Sequence, residues 1–187
     1  MSGHAAAWAA DMLGLEGPDA LADLALTVDD SAGVVFVPAL AGLGAPWWDT
    51  DARGLVCGLS LSSRPAHVAR ATFEAIAFQV GDVFAAMEKG IGGRMDRLLA
   101  DGGPTANAML MQMQADVLGR PVEIAATREL SAIGAAVMAG TGVGLWDDET
   151  ARGLFSNRQT RYAPVTGEDD RSRRVDAWHE AISRTRR

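Results

Sequence analysis

Between Arg94 and Ala139 the chain alternates twice between a strand-type run and a helix-type run, with only short links between them. Arg94 to Ala100 reads as a strand that ends in Asp101-Gly102-Gly103. From Pro104 to Leu118 the apolar residues Ala106, Leu110, Met113 and Val117 share one helical face, and Gly119 ends the segment. Pro121 to Ala125 reads as a second strand, and Ser131 to Ala139 as a second helix. Strand, helix, strand, helix on links this short forces each helix back across the strand before it, which gives an α/β layered sheet.

The flanks fit that layering. Val34 to Val37 is an apolar strand stopped by Pro38, and Gly54 to Leu61 reads as another, with the turn-forming run Ala41 to Pro46 between them. From Pro65 to Glu88 the period becomes helical: Phe73, Ile76, Ala77, Val80, Phe84 and Met87 fall on one stripe, Pro65 suits the first turn, and Gly90, Gly92 and Gly93 stop the helix. Residues 3–13 read as a short helix. After Trp146 the pattern weakens, and it recovers in a terminal amphipathic segment where Val175, Trp178 and Ile182 share a face.

Charge and residue counts exclude several classes. A net charge of -7 runs against nucleic-acid binding. Lys89, the single lysine, is followed by Gly90, so no phosphate-binding P-loop is present. One cysteine, Cys57, allows neither an internal disulfide nor a multi-cysteine zinc site, and the reading expects a reducing, cytoplasmic setting. The longest uncharged run, Leu130 to Trp146, has 17 residues and four glycines, which reads as a buried helix with its exit loop rather than a bilayer span. The opening residues lack the basic start of a signal peptide. Six arginines at 171, 173, 174, 184, 186 and 187 give the tail a local excess of positive charge, read as a solvated helix with cations near its negative end.

The sharpest local feature is Asp101-Gly102-Gly103-Pro104-Thr105-Ala106-Asn107. A strand delivers the chain to two glycines and a helix begins at once. Glycines let a ligand approach the backbone, and a helix start offers free N–H groups to a phosphate or a base edge. Asn107, about one turn in, brings one donor and one acceptor. A tight turn with an exposed Asn107 accounts for the same residues. Ser2-Gly3-His4 is a second helix start of the same kind. Gly140-Thr141-Gly142-Val143-Gly144 resembles a dinucleotide fingerprint but follows a helix, so it reads as a helix end and turn. In Trp47-Trp48-Asp49-Thr50-Asp51-Ala52-Arg53-Gly54 the tryptophans are expected to cover a sheet edge, and one of the acids to pair with Arg53. His67 reads as a helix-start or core residue, and His179 has no evident partner.

Taken together, several of these segments resemble the carboxy-terminal domain of the FGGY carbohydrate kinases: FVPALAGLGAPWWD at 36–49 with DARG at 51–54, Gly58-Leu59, HVARATFEAIAFQ at 67–79, Asp101-Gly102-Gly103 with Asn107, MQMQAD at 111–116, SAIGAA at 131–136 and GTGVGLW at 140–146. The branch that phosphorylates glycerol is the nearest, and the resemblance runs over residues 3–187. It implies an actin-like, ribonuclease-H-like ATPase domain, a mixed sheet flanked by helices, incomplete at its N-terminal side. Residues 1–165 would form the nucleotide-binding domain without its first hairpin, and 166–187 its terminal amphipathic helix. The reaction implied is transfer of the ATP γ-phosphate, with Mg2+, to a hydroxyl of glycerol or a related polyol or sugar. Gly103 matches the glycine whose backbone lies against the adenine and ribose, with Gly102 beside it in the nucleotide-binding set, Asn107 the asparagine at the purine, and Gly3 a glycine facing the phosphates. The general-base aspartate and most of the polyol site would lie in an amino-terminal domain outside this chain, leaving it without catalytic or metal-binding residues of its own and open to homo-oligomerisation through its unpaired sheet edge. The chain departs from the family pattern at Ala7, where a glutamine is frequent, and at Pro104, where a small residue usually follows the glycines. A non-catalytic actin-like module that pairs with a separate amino-terminal half is the alternative.

Overall fold

A computed structural model describes residues 2–125, 129–153 and 158–186. The elements are, in order, α1 (Ser2–Met12), α2 (Pro18–Ala25), β1 (Val35–Val37), β2 (Leu55–Cys57), α3 (Pro65–Ile91), β3 (Leu98–Ala100), a 3-10 turn (Gly103–Ala106), α4 (Ala108–Leu118), β4 (Val122–Ala125), α5 (Leu130–Gly142), α6 (Asp148–Gly153), β5 (Arg158–Tyr162) and α7 (Glu168–Thr185). β1 and β2 form an antiparallel pair with Phe36 opposite Val56. β3 runs parallel to β4, and β4 antiparallel to β5, so this sheet is mixed.

The β-type runs at 54–61 and 94–100 are longer in sequence than the strands they form, because only 55–57 and 98–100 find partners. β5 and α6 carry no apolar periodicity that would announce them; β5 reads Arg-Gln-Thr-Arg-Tyr.

α3 is the centre of the molecule. Residues 71–78 are buried all round rather than along one stripe, because the helix packs on two sides. Phe73 and Ile76 meet alanines 5, 6, 9 and 10 of α1, Leu21 of α2 and Leu110 of α4. Small alanine side chains let α1 lie close against its neighbours. On the other side Ala75 and Phe78 meet Val37 of β1 and Trp178 and Ile182 of α7. Phe78 and Trp178 stack at 5.5 Å. Val80 is half-buried and Met87 is exposed, so the apolar stripe fades at its C-terminal end.

Asp82 ties α3 to two distant segments. Its Oδ2 accepts from the Trp47 indole N–H at 3.1 Å and from the Trp178 indole N–H at 2.8 Å, and its Oδ1 lies 2.7 Å from His179 Nε2. The 41–54 loop is thereby held to α7. Arg186 lies over the Trp47 ring and 3.7 Å from Asp49, while Trp48 faces solvent. Arg53 binds the carbonyls of Thr50 and Ala52 rather than a neighbouring acid, since Asp49 Oδ1 already accepts from the N–H groups of Asp51 and Ala52.

Other expected helix ends are close to where the sequence puts them, but the uncharged run at 130–146 is not a buried helix: of α5 only Gly140 is buried, and Met138, Val143 and Leu145 are exposed. His67 Nδ1 accepts from the Arg64 N–H at the start of α3. Gly140 lies where an added Cβ would meet the Trp146 indole at 2.2 Å, so this glycine serves close packing of the helix exit. The α7 arginines pair mainly with nearby acids, among them Arg173 with Asp170, Arg174 with Glu74, and Arg184 with Glu180.

Glu74 is buried between α3, α7 and the loop before β1. It accepts from Ser31 Oγ at 2.9 Å and lies 3.1 Å from Arg174 and 3.9 Å from Arg70. Burial pushes its carboxyl above the ordinary value of 4.5, although Arg174, Ser31 and Arg70 all pull the other way. The folded state therefore holds this proton more tightly than the unfolded chain does. Its contribution to stability is fully present below pH 4.5 and is lost as pH rises through the folded value. Glu74→Gln removes that dependence. In thermal melts across this range, the variant should gain on wild type as pH rises; a constant or shrinking difference would contradict the burial argument.

Candidate functional site

The turn after β3 is built by two residue types. Gly102 has φ 89, in the left-handed region that favours glycine, and its carbonyl accepts from both the N–H and the Oγ1 of Thr105. Gly103 to Ala106 make one 3-10 turn, with Pro104 in its first positions. Asn107 then breaks the helix: its backbone is extended, and its Oδ1 accepts from the Leu110 N–H at 2.9 Å, capping α4. The sequence reading of one continuous helix from Pro104 is therefore corrected to a 3-10 turn followed by α4. Asn107 stands at the cap instead of one turn in. A cap fixes the amide's orientation, so its Nδ2 carries the free donors and makes no hydrogen bond among the described residues.

This turn faces α1. Gly3, Gly103 and Asn107 line one cavity of about 670 Å³ with Ala6 of α1, Phe73 and Ile76 of α3, and Pro18, Asp19, Ala22, Asp23 and Leu26 of the α2 segment. Gly102 is not among the lining residues; its role is the backbone turn. A Cβ placed on Gly3 or on Gly103 meets no atom within 4 Å, so both glycines border open space. The two helix starts singled out in the sequence thus converge on a shared volume, of a size that accepts a small molecule. Ala7 is exposed on α1.

The walls are mainly carbon, which suits a flat aromatic ring. The polar groups are few: main-chain groups at the two glycine ends, the Asn107 amide and the carboxylates of Asp19 and Asp23. No Lys, Arg or His lines the cavity. An anionic ligand would therefore be held by main-chain N–H groups at the start of α1 rather than by side-chain cations. Among the described residues, no group of three or more His, Cys, Asp or Glu could hold a metal ion. This donor set fits a Mg2+ that is carried on phosphate oxygens and water and does not fit a protein cage. No described helix is long and apolar enough to cross a membrane.

A second cavity, of about 690 Å³, shares Leu26 and Met109 with the first. Two of its buried carboxylates are already engaged with the protein, whereas Arg70 Nε is buried with no hydrogen-bond partner, 3.9 Å from Glu74. Glu74 binds Ser31 and Arg174, and Asp116 Oδ1 accepts from the N–H groups of Val165 and Thr166.

Two features escaped sequence reading. The α2 wall was unread although Gly17-Pro18 opens it and Leu21 and Ala25, one turn apart, are its buried face. The Asp82 cluster joins residues 35, 96 and 97 positions apart, which no local spacing can signal.

Residues 3–143 match the family model described as the FGGY family of carbohydrate kinases, C-terminal domain. The chain is 45% identical over 186 residues to a glycerol kinase of Dechloromonas aromatica, covering 99% of this chain and 37% of that protein. Among solved structures it is similar to Plasmodium falciparum glycerol kinase with ADP, with a TM-score of 0.87 and 29% identity over 98% of this chain and 37% of that one. It is also similar to a ligand-bound xylulose kinase of Lactobacillus acidophilus, with a TM-score of 0.82 and 25% identity over 97% of this chain and 37% of that one. The fold is thus that of the actin-like sugar kinases. The chain spans a little over a third of the length of the curated relatives it matches.

Proposed function

The chain belongs to the FGGY family of carbohydrate kinases, as its C-terminal domain, and on that premise we propose that it is the nucleotide-binding half of an ATP-dependent kinase acting on glycerol or a related polyol or sugar. The observation that carries the proposal is the convergence of Gly3, Gly103 and Asn107 on one cavity. In this reading the adenine lies against Gly103, where no Cβ intervenes, with the Asn107 Nδ2 donating to a ring nitrogen. The phosphates lie toward Gly3 and the free N–H groups of the first turn of α1. Gly102 holds the turn that presents Gly103. When bound, ATP would supply the γ-phosphate, and a Mg2+ carried on its phosphate oxygens would offset their charge.

The residues described here bind and orient; they do not deprotonate an acceptor. Phosphoryl transfer depends on placing a nucleophile in line with the nucleotide and neutralising charge. In this proposal the base and most of the acceptor site come from residues outside this chain, as do the polyol contacts. Residues 1–165 and the 166–187 segment act as one unit, supported by Trp178 and Ile182 being buried with Val37 and Ala75. Self-association belongs to the same proposal, because β3 ends the three-stranded sheet and Leu99 on it is exposed. A cytoplasmic setting would supply the ATP.

The test has two arms. Calorimetry with MgADP should show saturable binding to the chain. A coupled assay for glycerol-dependent ADP release should show no turnover by the chain alone. Absence of ADP binding would overturn the proposal, and turnover that tracks protein concentration would overturn the division of labour.

A further inference from the structure

An asparagine singles out adenine when both ends of its amide meet the base, Nδ2 donating to N7 while Oδ1 accepts from the 6-amino group. Asn107 has only one of those ends to offer. Its Oδ1 accepts from the Leu110 N–H at 2.9 Å as the cap of α4, so the carbonyl is directed at the helix start. Nδ2 is the end left over, and it makes no hydrogen bond among the described residues. Asn107 lines the cavity, so the group it brings to a ligand there is a donor.

The turn before it has little that could accept from a 6-amino group instead. The Gly102 carbonyl is taken by the N–H and Oγ1 of Thr105, the Pro104 carbonyl by the Asn107 N–H, and the Asn107 carbonyl by the Met111 N–H. The side chains that line the cavity beside Asn107, those of Pro104, Ala106, Ala108, Met109 and Leu110, are apolar. Asp19 and Asp23 stand on α2 and not on this turn. Adenine and guanine differ at the positions that such a wall does not sense. The substituent at C6 is a donor in adenine and an acceptor in guanine, whereas N7 accepts in both.

Resting on the reading of this cavity as a nucleotide site, we infer that Asn107 reads the base through N7 alone, so that the site selects purines as a class and takes adenine, hypoxanthine and guanine nucleotides alike.

The experiment compares ADP, IDP, GDP and 7-deaza-ADP by calorimetry with Mg2+, on wild type and on Asn107→Asp. Aspartate caps a helix as well as asparagine does, so melting should be unchanged, and only the ligand-facing group turns from donor to acceptor. The added charge weakens every diphosphate alike, so ratios are the readout. Wild type should bind ADP, IDP and GDP within about threefold of one another, and 7-deaza-ADP at least about threefold more weakly than ADP, the scale of one hydrogen bond. In Asn107→Asp the deaza penalty should vanish, and ADP should gain on GDP, because a carboxylate accepts from the 6-amino group and repels the guanine O6. A wild-type preference for ADP over IDP or GDP greater than about threefold, or a smaller deaza penalty, overturns the inference and leaves the nucleotide site standing. A deaza penalty that survives in the variant does the same. The wild-type ratios decide alone where the variant binds too weakly to measure. Failure of wild type to bind ADP at all overturns both readings.

Discussion

Asp82→Ala should lower the melting temperature by about 10 °C. The side chain is buried, and its two oxygens serve three groups: the indoles of Trp47 and Trp178 and the imidazole of His179. Trp178 is 1% exposed, so its N–H has no water to turn to once the carboxylate is gone. Leaving a buried donor unsatisfied costs about 1–3 kcal/mol. A cavity at the same point, and the loss of the link between the 41–54 loop and α7, raise the total to about 3–5 kcal/mol. For a chain of this size that is about 10 °C. Asp82→Asn keeps the volume but replaces one acceptor with donors that face donors, so it should fall between alanine and wild type. Differential scanning calorimetry decides; a shift under about 2 °C for the alanine variant would show that the cluster does not hold the segments together.

Gly103→Val should weaken nucleotide binding strongly without harming the fold. A Cβ at this position meets no protein atom within 4 Å, and the residue does not need a left-handed backbone. The valine side chain therefore enters the open volume and takes the place proposed for the purine. Overpacking of about 1–3 kcal/mol corresponds to a loss of about fivefold to 150-fold in affinity. Melting should be unchanged, since exposed substitutions of this kind usually cost less than about 0.5 kcal/mol. The contrast with Gly102 is informative: there an added side chain also meets open space, but its φ of 89 would be strained, so Gly102→Val should destabilise the turn itself. Equal ADP affinity for wild type and Gly103→Val would place the purine elsewhere.

How far the sequence could be read depended on whether a signal was local. The α3 and α4 helices declared themselves through apolar spacing, and the terminal helix through Val175, Trp178 and Ile182. The glycine pair at 102–103 and the cap at Asn107 were legible because turn and cap chemistry resides in adjacent residues, although the exact break between the 3-10 turn and α4 was not. Gly3 was legible as a helix start. Its meeting with Gly103 follows only from the packing of α1 on α3 and α4, which joins residues a hundred positions apart. The same holds for Asp82, whose partners lie on the 41–54 loop and α7. β5 was unreadable because its residues are mostly polar and it becomes a strand only by pairing with β4. Met87 illustrates the opposite failure: its spacing matches the buried stripe, but the helix outruns its neighbours there and the side chain is left in solvent.

The central claim is that one nucleotide is held at both glycine ends of a single cavity. Titration of the isotopically labelled chain with MgADP, followed residue by residue in amide proton–nitrogen NMR spectra, tests it most directly. The amides of Gly3 at one end and of Gly103 and Asn107 at the other should shift together and saturate with one dissociation constant. If one end moves and the other stays fixed at saturating ADP, the two helix starts do not share a ligand and the account is wrong.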